Sequence, residues 1–335
     1  MTDDNKLLNK IFSVDSNSFG EVCEKVFRFQ YENNAVYKQW CNLVNVASDE
    51  GNSFQNINEL INKIPFLPIY FFKSHEIKTT SFEPEQIFES SGTTKQNTSK
   101  HLVKDIAVYE ESFLKAFKLF YGDIEKYCVL ALLPSYLERT GSSLVMMADK
   151  LIKLSGHAKS GFYLDDFDAL HKTIIEQEAK NQPTLLLGVT FGLLDFSEQY
   201  QLNLKHTIIM ETGGMKGRKK EMTRMEVHEQ LKKGFGVENI HSEYGMTELL
   251  SQGYSFGKGI FNCPPWMKIC VRSEDDPLTV STHGKGIINV IDLANVYSSA
   301  FIATEDIGIV YEDGSFEVLG RLDNSDIRGC SLMYH

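Results

Sequence analysis

Residues Ser90 to His101 read Ser-Ser-Gly-Thr-Thr-Lys-Gln-Asn-Thr-Ser-Lys-His, which places six hydroxyl side chains, one glycine and two lysines in twelve positions. Hydroxyls and backbone N–H groups donate to phosphate oxygens. Glycine lets the backbone approach closely, and lysine supplies charge. Ser90, Ser91, Gly92, Thr93, Thr94 and Lys100 are therefore candidate phosphate ligands. The run is not a Walker A loop, which requires a second glycine before its lysine. Asn97 and Thr98 stand there instead. On composition alone, a solvated Ser/Thr-rich loop explains the same residues.

A second run, His241-Ser242-Glu243-Tyr244-Gly245-Met246-Thr247-Glu248, carries a different set of groups. An aromatic ring such as Tyr244 can stack on adenine. The Thr247 hydroxyl can donate to a phosphate, and the Glu248 carboxylate is a hard oxygen ligand suited to magnesium. The plain alternative is a strand followed by a capped turn, with Thr247 and Glu248 starting a helix. Upstream, Glu211-Thr212-Gly213-Gly214 follows a predicted strand, where open α/β sheets bind ligands. A tight turn explains that glycine pair equally well.

Together the two runs resemble the adenylate-forming superfamily of acyl-CoA synthetases, adenylation domains and firefly luciferase. Ser-Ser-Gly-Thr-Thr with Ser-Lys-His is similar to its phosphate signature, and Tyr-Gly-Met-Thr-Glu to its nucleotide motif, including Gly245. The resemblance implies that Gly213 and Gly214 border adenine. It also implies that Asp306, in Ala303-Thr304-Glu305-Asp306-Ile307-Gly308, holds the ribose hydroxyls, and a carboxylate can accept both hydrogen bonds. Arg321, in Gly320-Arg321-Leu322-Asp323-Asn324, matches the arginine of the family's hinge. Taken singly, Asp306 and Arg321 read as surface ion-pair residues. Their order after the loop, the glycines and the tyrosine run carries the resemblance. One departure is Lys95, where the family places another glycine.

The superfamily continues for about a hundred residues beyond the hinge, in a domain that carries an adenylation lysine. This sequence ends at His335. That pattern resembles one branch, the LuxE-type acyl-protein synthetases of fatty-acid reductase systems, from about residue 80 onward. Leu133-Pro134-Ser135-Tyr136-Leu137, Gly141-Ser142-Ser143-Leu144 and Gly213-Gly214-Met215-Lys216-Gly217-Arg218 add to it. In that branch a cysteine near the C-terminus takes the acyl group as a thioester, and Cys330 stands in that position. Cys330 lies nine positions beyond Arg321, a reach of roughly 30 Å when extended. Arg328 beside it favours thiolate. Without the resemblance, Cys330 reads as an ordinary free cysteine. Tyr136 and Gly141 are candidate acyl-pocket residues, with ordinary core or surface roles as the alternative.

These groups need a scaffold. The pattern predicts strands at Tyr127–Leu133, Thr184–Val189, His206–Met210 and Ile240–Glu243. Helices are expected at Ser142–Leu154, from Asp165 or Asp166 to about Ala179, at Phe191–Tyr200 and at Arg218–Gly234. Such alternation predicts an α/β fold, a mostly parallel sheet flanked by helices. Residues 1–80 read as a mainly helical segment, and 81–264 as the nucleotide-binding core. Residues 265–320 read as an antiparallel β element completing that core, and 321–335 as a hinge-like motif with a cysteine-bearing tail. The prolines of Ile64–Phe72 argue for a packed connector there rather than a central strand. Asp313-Gly314 marks a hairpin turn. Asp165, Asp166 and Asp168 are read as helix caps before metal ligands.

The net charge is −11 and no long basic tract occurs, so nucleic acid is not an expected partner. Six cysteines form no CxxC pair, which argues against zinc and a disulfide framework. No signal peptide and no membrane span are expected, and the expected compartment is the cytoplasm. The resemblance implies ATP and Mg2+ as cofactors. It also implies a fatty or other acyl carboxylate as substrate, activated to acyl-AMP and passed to Cys330 for delivery to an acyl reductase. Transfer straight to CoA or to an acyl-carrier protein is the rival enzyme reading. A non-catalytic nucleotide-binding scaffold is the rival outside enzymology.

Overall fold

The structure is a computed structural model, and it describes residues 3–44, 57–90, 98–133, 141–164, 166–213 and 222–322. The chain opens with α1 (Asp3–Ile11), α2 (Phe19–Asn33), α3 (Ala35–Leu43), α4 (Ile57–Lys63), β1 (Leu67–Pro68) and α5 (Phe71–Ser74). Next come β2 (Gln86–Glu89), β3 (Lys100–Val103), α6 (Ile106–Tyr121), β4 (Cys128–Leu132), α7 (Ser143–Ser155), β5 (Gly161–Phe162) and α8 (Phe167–Ala179). They are followed by β6 (Thr184–Gly188), α9 (Thr190–Gln199), β7 (Thr207–Glu211), α10 (Arg224–Phe235), β8 (His241–Tyr244), β9 (Gly253–Ser255) and β10 (Ile260–Asn262). The last strands are β11 (Met267–Arg272), β12 (Val280–Ser281), β13 (Gly284–Asp292), β14 (Phe301–Val310) and β15 (Phe316–Arg321). Two compact units result: Pro84–Pro264, and Met1–Glu83 together with Pro265–His335.

In the 84–264 unit the strands run β5-β4-β6-β7-β8, all parallel, with β9 and β10 added antiparallel. Every residue of β4 and β6 is buried. Such unbroken burial is what a parallel strand covered on both faces requires. Leu130, Leu132, Leu186, Leu193, Phe196, Ile209, Leu231 and Phe235 share one core. Helix entry is set by side chains: Ser142 accepts from Val145 N and Asp166 from Ala169 N. Gly156, at φ 61°, stops α7 in the left-handed region.

The charged helix expected at Arg218–Gly234 begins later and ends later. Thr223 and Glu226 form a capping box that starts α10 at Arg224, and Gly236, at φ 67°, ends it. Gly234 is not the stop. A Cβ there would meet the Ser197 Cβ at 2.6 Å, so this glycine lets α9 and α10 pack closely.

In the other unit the order is β12-β11-β13-β14-β15, antiparallel throughout. The proline-marked stretch does contribute a short strand: Leu67 and Pro68 pair in parallel with Ile302 and Ala303. They take the side of β14 that β15 leaves open, because β15 pairs only from Asp306 onward. Proline is tolerated there because the pairing lasts two residues. Helix α2 buries Phe19, Val22, Cys23, Val26, Phe27 and Gln30, one helical face. Gln30 donates to the carbonyls of Asn295 and Val296 and accepts from Ala300 N. Phe27, Tyr37 and Phe66 ring Phe301 of β14 at 6.1–6.2 Å. No described helix is long and apolar enough to cross a membrane.

Candidate active site

Strands β2 and β3 form a hairpin in which Glu89 faces Lys100 and Phe88 faces His101. Beyond the ladder, Ser90 N donates to the Ser99 carbonyl at 3.1 Å, and Ser99 N donates to Ser90 Oγ at 2.9 Å. These two bonds close the base of the hydroxyl-rich run. Ser91, Gly92, Thr93 and Thr94 lie outside the described residues, as do Tyr136, Gly214 and Cys330. Lys100 is exposed, with its Nζ 4.0 Å from Glu89 Oε1.

His101 is fully buried. Its Nδ1 lies 2.9 Å from the Thr247 carbonyl. A carbonyl only accepts, so Nδ1 carries the proton and donates. This bond ties the hairpin that carries the candidate phosphate loop to the tyrosine run. Strand β8 ends at Tyr244, and Thr247 and Glu248 sit in a turn with no helix after it. The helix-start alternative for these residues therefore does not hold. Glu248 is buried, while the Tyr244 ring packs edge-on to Phe261 at 6.0 Å. Removing the His101 imidazole would leave the Thr247 carbonyl without that donor. We expect His101→Leu to cost about 1–3 kcal/mol, measured as a shift of the urea midpoint.

A cavity of about 180 Å³ opens beside this turn, lined among others by Glu89, Ser142, Thr212, Glu243, Gly245, Thr247 and Gln252. Tyr109 also lines it, and its hydroxyl donates to the Ser143 carbonyl at 3.0 Å. Met147 of α7 is buried and yet reaches this wall. Gly141 directly precedes the lining residue Ser142. The Gly141 carbonyl accepts from Glu89 N at 2.8 Å, and a Cβ there would stand 3.3 Å from the Ile87 carbonyl.

Behind the cavity, Glu211 ends β7. Gly213 N donates to its Oε1 at 2.8 Å, Thr190 Oγ1 donates to the same oxygen, and His228 Nε2 lies 3.7 Å from Oε2. Gly213 adopts φ 80°, which only glycine takes up readily. Burial opposes ionisation of Glu211. Hydrogen bonds from His228 and Thr190, with the charges of Arg224 and His228, outweigh it and hold its pKa below the ordinary carboxyl value. Glu243 is the opposite case. Burial, followed by the nearby Glu211 charge, pushes its carboxyl up to about 8.

In the other unit, Asp306 and Arg321 are register partners on β14 and β15, and Arg321 Nη2 lies 3.1 Å from Glu305 Oε2. Asp166 caps α8, and no group of three or more metal-ligating side chains occurs among the described residues. Sequence reasoning singled out Thr247 and Glu248 but passed over Glu243 and Gln252. Glu243 stood inside the run that was read. What it lacked was a sign of which face of β8 meets a cavity.

The mostly parallel sheet flanked by helices, β5-β4-β6-β7-β8 with β9 and β10 added, is an α/β fold found in solved structures of other proteins. Two of the solved structures that share it bind ATP. ATP-bound MatB from Rhodopseudomonas palustris is 17% identical, with 70% of this chain and 47% of that chain covered and a TM-score of 0.51. The ATP-bound RpMatB-BxBclM chimera B3 is 18% identical, with the same coverage and a TM-score of 0.52. The chain thus spans about half the length of those two. Over residues 15–335 it matches the family described as acyl-protein synthetase, LuxE, and it belongs to that family of ATP-dependent, AMP-forming ligases. It is also 22% identical over 338 residues to a long-chain-fatty-acid–luciferin-component ligase of Aliivibrio fischeri, covering 93% of this chain and 86% of that protein.

Proposed function

We propose that the protein joins a carboxylic acid to AMP at this cavity and then passes the acyl group to the thiol of Cys330. The observation that carries this reading is the His101–Thr247 bond, which holds the base of the candidate phosphate loop against the tyrosine run. In the first step a carboxylate oxygen bonds to the α-phosphorus of ATP, and the bond to pyrophosphate breaks. Thr94, Lys100 and Thr247 donate to the phosphates where charge gathers. Glu248 would hold a magnesium ion, for which a hard carboxylate oxygen is suited, and such an ion would supply further charge stabilisation. Ser90, Ser91, Gly92 and Thr93 complete the phosphate cradle. Tyr244, Gly245, Gly213 and Gly214 flank adenine, Asp306 and Arg321 hold the ribose side, and Tyr136 and Gly141 border the acyl group.

In the second step the Cys330 thiolate bonds to the acyl carbonyl carbon, AMP leaves, and the thiol proton passes to solvent. The name of the Aliivibrio relative supports a fatty acid. The family description, an acyl-protein synthetase, supports a protein as the acyl acceptor, and we propose an acyl reductase as the next recipient. A thiol with this task belongs in a reducing compartment, so we place the reaction in the cytoplasm.

Radiolabelled acid with ATP tests the reading. Denatured wild type is expected to retain label, whereas Cys330→Ser retains less than about a twentieth of it while still exchanging pyrophosphate. Equal label on both proteins overturns self-acylation. Label passing to CoA or a carrier protein with Cys330→Ser as fast as with wild type would make that thiol the acceptor. Absence of exchange with every acid would leave a nucleotide-binding protein without ligase activity.

A further inference from the structure

Glu211 is buried, and it is not among the described residues that line the cavity beside Thr247. Three elements of the 84–264 unit nevertheless converge on its carboxylate. Gly213 N donates to Oε1 at 2.8 Å, and the Thr190 hydroxyl at the start of α9 donates to the same oxygen. His228 of α10 lies against the other oxygen, its Nε2 3.7 Å from Oε2. The loop closes through the backbone, because Thr190 N donates to the Gly213 carbonyl at 2.9 Å. Gly213 is therefore pinned at its N–H and at its C=O, and both pins lead back to Glu211.

A serine–histidine–carboxylate relay is one reading of this cluster, since Ser242 Oγ lies 3.4 Å from His228 Nε2. The geometry rejects it. Ser242 and Glu211 both approach Nε2, whereas a relay places serine and carboxylate on opposite ring nitrogens. All three side chains are also buried. What the cluster does instead is fix backbone. Gly213 adopts φ 80°, a conformation that other residues resist. A Cβ there would meet no described atom within 4 Å, so conformation and not crowding requires the glycine. Glycine also has more backbone conformations open to it than any other residue. Bonds on both of its polar groups select one of them. Its neighbour Thr212 lines the cavity, and Thr212 N donates to the Gly188 carbonyl at 3.1 Å.

Resting on the nucleotide half of the function proposed above, we propose that Glu211 is a positioning residue that holds the Thr212–Gly213 turn in the one conformation that receives the adenine of ATP. It touches no reacting atom. The Gly213 N–H is committed to Glu211. What the glycine offers the base is therefore a flat face without a side chain, not a hydrogen bond from that N–H. His228, through Ser242, links the same carboxylate to β8, the strand that ends at Tyr244, another proposed neighbour of adenine. Adenine is remote from the phosphorus that reacts, so its contacts are the same in the ground and transition states. Losing them weakens ATP binding and leaves kcat alone.

The test is equilibrium dialysis with radiolabelled ATP and Mg2+, alongside acid-dependent pyrophosphate exchange. Glu211→Met removes the acceptor at similar volume, and its Kd for ATP should rise about tenfold or more. Its kcat for exchange should stay within about threefold of wild type. Glu211→Gln keeps an Oε1 for Gly213 and Thr190, and should bind ATP within about threefold of wild type. Thr190→Val removes one of the two donors and should fall between them. A merely structural role moves a different quantity, because a poorly folded variant binds fewer equivalents of ATP at an unchanged Kd. That pattern in Glu211→Met overturns the proposal. So does a Glu211→Gln protein that binds as weakly as the methionine variant, which would make charge rather than bond geometry the requirement. A raised KM for the acid with ATP binding unchanged also overturns it, by assigning the turn to the acyl group. If wild type binds ATP but exchanges with no acid, the ligase reading fails while the Kd shift still supports this one. No ATP binding by wild type removes both.

Discussion

Glu248→Ala is expected to reduce acid-dependent ATP–pyrophosphate exchange by about 10²–10³-fold, the usual loss when one group stabilising transition-state charge is removed. Glu248 is 5% exposed in the turn after β8, one residue beyond the carbonyl that His101 holds. A carboxylate there is oriented by its surroundings rather than by chance rotation in solvent. If it ligates magnesium at the phosphates, loss of the charge matters more than loss of the shape. Glu248→Gln should therefore be nearly as slow as the alanine variant, while Glu248→Asp should recover part of the rate at raised Mg2+. EDTA should abolish exchange by wild type. A Glu248→Gln protein that melts like wild type, exchanges at wild-type speed and needs no more Mg2+ would remove the residue from the proposed metal site.

The second large effect is on stability, and it depends on pH. Glu243 has its carboxyl pushed up to about 8 in the folded protein, against an ordinary value of 4.5. Below the lower value the carboxyl is protonated in both states and contributes nothing to pH dependence. Between the two values only the unfolded chain ionises, so folding takes up a proton. Wild-type stability then declines by about 1.4 kcal/mol per pH unit from this group. Above the higher value both states are ionised and the penalty stays constant. Glu243→Gln has no proton to take up. Urea denaturation at pH 5, 7 and 9 should show the variant gaining on wild type through that window and then holding its lead. Parallel curves would mean that the carboxyl is solvated in the fold. Gln252 and Glu211 stand near enough to matter, and only Glu211 carries charge. Its pKa lies below the ordinary value, so it stays ionised throughout this window and does not blur the reading.

The α/β alternation was legible because fully buried parallel strands leave apolar runs such as Thr184–Gly188, and because helix ends leave chemical marks. Ser142 and Asp166 cap helices where their residue types suggested. The start of α10 was misjudged because charged residues flank Thr223 on both sides, and hydrophobic periodicity does not register a capping box. Gly234 misled for a different reason. A glycine wanted for close helix packing looks, in one dimension, like a glycine wanted for a stop, and only the 2.6 Å approach to Ser197 separates them. Leu67 and Pro68 were read as connector because a two-residue strand has no period to detect.

By itself the sequence determined the family resemblance, the order of the motifs and the residue types offered to the nucleotide. Those are properties of local runs, and local runs survive in one dimension. Tertiary structure decided which of them meet. His101 and Thr247 are 146 positions apart, and their bond follows from strand pairing rather than from either motif. Strands β11 to β15 share one unit with helices from the other end of the chain, through Gln30 and the ring cluster around Phe301. Glu243 gained its raised pKa the same way. A glutamate on a strand is ordinary until the fold half-buries it near the charge of Glu211. Burial and pairing are sums over neighbours in space, and that is why the chemistry of the cavity had to await the fold.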